Sequence, residues 1–63
     1  MEPIGDNIRK LRKEKGLTIQ QMAELMDMTY PGYQRIETGG NTTVQTLSKI
    51  AGILGVGLSE LIG

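Results

Sequence analysis

The residues best equipped to meet a partner lie in one string, MTYPGYQRIETGGN, residues 28–41. It holds both tyrosines of the chain, and Tyr30, Gln34 and Arg35 fall on one side of the segment if it is helical. Pro31-Gly32 leaves two readings open. The pair either makes a type II turn between two elements or forms the first turn of a helix, where a missing N–H has no intrahelical partner to lose. A helix displays Tyr30, Gln34 and Arg35 outward. A turn leaves them to pack.

Catalysis has little to work with. The chain has 63 residues, no cysteine and no histidine. Disulfides and thiolate metal sites are therefore excluded, and the commonest general base is missing. Seven carboxylates alone give no nucleophile–base pair, and no glycine-rich phosphate loop ends in lysine. The expectation is a non-enzyme with no cofactor, no metal and no small-molecule ligand. No apolar run approaches a membrane span, and the start, MEPIGDN, lacks the basic-then-apolar layout of a secretory signal. A cytoplasmic protein in one domain over residues 1–63 is the expectation.

Formal net charge is zero, from seven basic and seven acidic residues. Distribution matters more than the sum. Five of the seven cations, Arg9, Lys10, Arg12, Lys13 and Lys15, crowd into positions 9–15. The bland explanation is a solvated helix face; the other is a local positive field for a polyanion.

Helical periodicity supplies the elements that position these groups. Ile4, Ile8 and Leu11 share one face of a first helix running to about Glu14, stopped at Lys15-Gly16. LTIQQMAELM opens a second: Thr18 and Gln21 fit a capping box, Leu17 can staple against Met22, and Ile19, Met22, Ala23 and Met26 recur at helical spacing. It should stop near Asp27. A further helix runs from Thr42 or Thr43 to Leu54, with Val44, Leu47, Ile50, Ala51 and Leu54 on one stripe; Thr42 with Gln45, or Thr43, caps it. Gly55 ends it, and a short last helix is capped by Gly57 or Ser59. Alternating strand patterns are absent. The expected core is Ile4, Ile8, Leu11, Leu17, Met22, Ala23, Met26, Met28, Tyr33, Ile36, Val44, Leu47, Ile50, Leu54, Val56, Leu58 and Leu61. The fold class is all-α, five short helices in one bundle.

Helix two, a short turn and a third helix form a helix-turn-helix. The strings LTIQQMAELM, MTYPGYQRIETG and TVQTLSKIAGILGVGLSELI resemble the lambda-repressor-like DNA-binding domains, which include the Cro and CI repressors and the Xre-type regulators. Ile36-Glu37-Thr38-Gly39 and Leu54-Gly55-Val56 are the most specific matches. The resemblance covers nearly the whole chain. It places the third helix at about Thr29 to Thr38, so that Pro31-Gly32 belong to its first turn, with Tyr30 at the cap and Pro31 at N1.

By position, the resemblance implies that Tyr30, Pro31, Gln34 and Arg35 contact base edges, and Arg35 suits guanine O6 and N7. It implies backbone contacts from Thr18, Gly32, Thr38, Gly39, Gly40, Asn41, Thr42 and Thr43. Tyr33 takes a buried family position, its hydroxyl expected at the rim. Arg12 and Glu37 match a structural pair tying helix one to helix three, with a phosphate contact by Arg12 as a second role. Val56 and Leu58 match family-typical dimer surfaces. The implied function is sequence-specific binding of double-stranded DNA by a transcriptional regulator, a repressor by expectation, acting as a homodimer on a palindromic operator.

Three departures from the family pattern weaken phosphate contact: Ile19 replaces a usual glutamine, Asp27 a usual glycine, and the loop after helix three carries no cation. Weak monomer binding with a shallow salt dependence is expected. The same departures support an alternative, a protein-interaction or antitoxin-type module on this fold with weak or no DNA binding.

Overall fold

The computed structural model describes residues 4–40 and 42–62. Five helices follow in order and no strand occurs among the described residues: α1 Ile4–Glu14, α2 Ile19–Leu25, α3 Tyr30–Gly39, α4 Val44–Leu54 and α5 Leu58–Ile62. Their limits follow from local chemistry. Thr18 caps α2, its hydroxyl accepting from the Gln21 amide at 3.1 Å while the Gln21 side chain accepts from the Thr18 amide at 2.8 Å. Thr43, not Thr42, caps α4, and the amide it accepts from belongs to Thr46. Gly57 stands at the start of α5, where its N–H donates to Glu60 at 2.9 Å; Ser59 lies inside the helix.

One boundary falls where expected and one differs. α2 ends at Leu25 with Met26 as its cap, because Asp27 has already left the helix in a left-handed conformation at φ 57°. Aspartate is among the few side chains that tolerate this region. α3 is capped by Thr29 rather than Tyr30: the Thr29 hydroxyl accepts from the Gly32 amide at 3.2 Å, and Pro31 sits within the first turn one residue past Tyr30. A capping hydroxyl one residue earlier than Tyr30 outcompetes a phenol, which cannot reach back to its own backbone.

Ile8, Met22, Tyr33, Ile50, Leu54 and Leu61 are fully buried and draw all five helices onto one core. Ile4, Leu11, Leu17, Met28, Val56 and Leu58 pack half-buried around it, joined by Ile19 and by Ile53, which was not expected there. Val44 is a correction. It is 66% exposed, since it opens α4 on the turn before the apolar stripe reaches the core.

α1 lies against α3, α4 and α5. Its approach to α3 depends on Gly5: a Cβ there would overlap the Glu37 carbonyl oxygen and stand 2.8 Å from the carbonyl carbon. Across the contact is Gly40, left-handed at φ 63°, which ends α3 with its N–H on the Ile36 carbonyl at 2.8 Å. At α1's other edge, buried Asn7 donates to the Leu61 carbonyl at 2.9 Å and fixes α5. The outcome is a third helix clamped on one side and bare on the other.

Candidate nucleic-acid interface

The clamped side of α3 holds Tyr33, Ile36 and Glu37, all buried. Glu37 meets Arg12 of α1 bidentately, with Arg12 Nε donating to Oε2 at 2.7 Å and Nη2 to Oε1 at 3.2 Å. Arg12 Nη1 also donates to the Leu17 carbonyl at 2.7 Å, so one guanidinium ties α1, the α1–α2 turn and α3 together. This geometry corrects the second role given to Arg12. The residue is only 6% exposed and its donors point inward, which leaves it unfit to meet a phosphate.

Tyr33 is also a correction. Its hydroxyl is not at the rim but fully buried, without a hydrogen-bond partner among the described residues. Burial pushes the phenol far above its ordinary range, the Glu37 carboxylate adds in the same direction, and Arg12 opposes both. Tyr33 is therefore a neutral wedge beside the ion pair.

The bare side of α3 carries Tyr30, Pro31, Gln34, Arg35 and Thr38, all exposed. Spacings of three and four residues bring these side chains together on one surface. Arg35 forms no ion pair among the described residues, so its fork is open to a ligand. Gly32 is half-buried because its missing side chain makes room for the Thr29 hydroxyl, 3.0 Å from where a Cβ would stand, and for Met28, 3.7 Å away.

The flanking residues are less uniform. Thr18, Gly39 and Thr43 are exposed, while Gly40 and Thr42 are half-buried; Asn41 lies outside the described residues. The hydroxyl oxygens of Thr18 and Thr43 already accept in capping, so any anion contact there falls to backbone N–H groups or to a hydroxyl proton. Val56 and Leu58 are half-buried, and Ile62 on α5 is 46% exposed.

Two residues that shape the site escaped sequence reasoning. Asn7 left a trace, a polar side chain set between the apolar positions Ile4 and Leu11 of one helical face. Gly5 left none, because close helix approach has no local signature.

Comparison with known proteins agrees with this architecture. A family model described as "Helix-turn-helix" matches residues 8–61. YonR, an SPbeta prophage-derived uncharacterized HTH-type transcriptional regulator of Bacillus subtilis, is 36% identical over 60 residues, covering 94% of this chain and 56% of that protein. The immunity repressor protein of Bacillus phage phi105 is 34% identical over 61 residues, 95% of this chain and 42% of its own. The chain thus spans about half the length of these curated relatives. Among solved structures, SinR, the master regulator for biofilm formation, crystallised in complex with DNA, superposes with a TM-score of 0.84 at 31% identity, covering 95% of this chain and 98% of that one. The chain belongs to the helix-turn-helix family, in its lambda-repressor-like branch of Cro, CI and Xre-type proteins.

Proposed function

We propose that this chain binds double-stranded DNA in a sequence-dependent way and serves as a transcriptional regulator, with the bare side of α3 in the major groove. One observation carries the reading. The cation inside the fold, Arg12, is paired with Glu37, whereas Arg35 stands exposed beside Gln34 and Tyr30 on the bare side of α3, with no ion pair among the described residues. A guanidinium held this way suits the two acceptors of guanine, and Gln34 suits adenine or a phosphate. Tyr30 offers its ring to a thymine methyl or its hydroxyl to a phosphate, and Pro31 offers apolar contact only.

Phosphate contacts fall to the start of α2 at Thr18, to Gly32, and to the end of α3 and the loop after it at Thr38, Gly39, Gly40, Asn41, Thr42 and Thr43, where glycines let a backbone approach closely. Repression by a homodimer on a palindromic operator in the cytoplasm completes the reading, with Val56 and Leu58 on the dimer surface. Similarity to the immunity repressor of Bacillus phage phi105 and to SinR, crystallised with DNA, supports the DNA-binding and repressor parts of this reading.

Selection of bound duplexes from a random pool tests it. The wild-type chain should enrich a short motif, palindromic if two copies bind. Arg35→Ala should erase preference at one base pair per half-site, a loss of about 1–3 kcal/mol of discrimination. An identical motif from both proteins sinks the assignment of Arg35.

A further inference from the structure

Three helices end in the same way, and one of them does so with an unusual residue. After α1, the Gly16 amide donates to the Lys13 carbonyl at 3.0 Å and the Leu17 amide to Arg12 at 3.1 Å. After α4, Gly55 donates to Gly52 at 3.3 Å and Val56 to Ala51 at 3.0 Å. After α2, Asp27 donates to Glu24 at 3.1 Å and Met28 to Ala23 at 2.8 Å. Each is a Schellman motif, whose turning residue is left-handed. That residue has φ 73° at Gly16, 70° at Gly55 and 57° at Asp27. Glycine adopts this conformation freely, whereas an L side chain strains it. Asp27 is the one non-glycine residue with positive φ among the described residues. Nothing inside the fold explains it. Asp27 is exposed, and its carboxylate makes no hydrogen bond or ion pair among the described residues. The cap of α3 belongs to Thr29. Its charge stands between the carbonyl end of α2, which disfavours an anion, and the amide end of α3, which favours one, so the helix dipoles oppose each other there. A residue held in strain without a partner in the protein points to a role outside it.

We propose that Asp27 is an electrostatic brake on DNA binding: its carboxylate, held in a glycine position beside the entry of α3, lowers affinity for duplexes of every sequence alike. The inference rests on the DNA-binding reading above and deepens it. Thr29 caps α3, the helix whose bare side enters the groove in that reading. Two peptide units separate Asp27 from Thr29, at most about 7.6 Å between Cα atoms. Phosphates flank the groove, and at physiological salt a charge acts over about 8 Å. Repulsion over that range needs neither contact nor an aimed side chain. Phosphates are the same in every sequence, so this repulsion sets affinity and leaves base preference to residues such as Arg35.

The test compares the full wild-type chain with Asp27→Asn, which keeps a side chain that tolerates the left-handed turn and deletes only the charge. Binding is read by fluorescence anisotropy on a selected duplex and on one of unrelated sequence. Asp27→Asn should bind both roughly two- to fivefold tighter at about 50 mM salt, with the gain narrowing as salt rises. The motif it enriches from a random pool should match that of wild type. Asp27→Gly should bind as tightly as Asp27→Asn and melt a few degrees above wild type, because the strain leaves with the side chain. Glu14→Gln also removes an exposed carboxylate, at the last residue of α1 in a cleft shared with α5, and should gain little. Unchanged affinity in Asp27→Asn overturns the inference. So does a gain confined to one duplex, which would make Asp27 a base-reading residue, or an equal gain in Glu14→Gln, which would make net charge the cause. These outcomes leave the larger reading standing if Arg35→Ala still loses base preference. Absence of duplex binding by both wild type and Asp27→Asn removes both.

Discussion

The two sides of α3 use the same kinds of residue for opposite ends. Each side involves an arginine and a tyrosine, the outer pair both from α3 and the inner arginine reaching in from α1. On the inner side Tyr33 and the Arg12 that reaches Glu37 are buried, and every donor that matters points at the protein. On the outer side Tyr30 and Arg35 are exposed and make no such bonds. Residue type therefore says little about role here; register on the helix decides it. Inner changes should alter stability, whereas Arg35→Ala should alter only what is bound.

Breaking the inner ion pair should have the largest effect. Glu37→Ala leaves the Arg12 guanidinium charged, buried and facing an empty site, and removing one partner of such a pair costs about 3–5 kcal/mol. In a 63-residue chain of modest stability that loss should leave much of the population unfolded at 37 °C, visible as lost helical circular dichroism. A Glu37→Ala protein that melts within about 1 kcal/mol of wild type contradicts the account of α1 and α3 as tied by this pair.

Gly5→Ala should come next, at about 3 kcal/mol, the upper part of the range for inserted bulk. The added methyl meets the Glu37 backbone, which cannot swing aside as a side chain would. Gly39→Ala makes a fair control, since a Cβ there meets nothing within 4 Å. Denaturant titrations of the two should differ by more than 1 kcal/mol, and equal midpoints would mean that α1 can slide away from α3 at little cost.

What the sequence made legible follows the range of the interactions involved. Periodicity located α1, α2 and α4, because apolar spacing and burial report the same face, whereas α3 was placed through the resemblance. Capping hydroxyls located the starts of α2 and α4, a purely local chemistry. Errors arose where neighbours compete or where distant segments meet. Thr29 won the α3 cap from Tyr30 over a single residue. Val44 fits the apolar stripe by type yet lies a turn too early to reach the core. The candidate DNA face was legible only through resemblance, since nothing in Tyr30, Gln34 or Arg35 alone distinguishes a groove-reading side chain from a solvated one. Gly5 needed the packing of α1 on α3, whereas the Arg12–Glu37 pair followed from the resemblance and is present.

Tyr33→Phe sharpens the contrast most finely, because it keeps the ring and deletes only a hydroxyl that, near Glu37 and Arg12, makes no hydrogen bond of good geometry among the described residues. A buried hydroxyl without a hydrogen bond carries its desolvation cost uncompensated, so its removal should be neutral or stabilising by about 1 kcal/mol at pH 7. The alkaline limb gives the sign an independent check. Burial holds the Tyr33 phenol above its ordinary value of about 10, so the folded state resists losing that proton while the unfolded chain gives it up. Stability tied to the neutral phenol is present below pH 10 and declines as pH rises past it, since the unfolded state then binds fewer protons than the folded one. Phenylalanine has no such proton. Denaturant titrations of wild type and Tyr33→Phe should therefore diverge further above about pH 10, with the variant the more stable. A variant less stable at pH 7 by more than about 1 kcal/mol would place a partner on that hydroxyl after all, most simply a buried water beside Glu37.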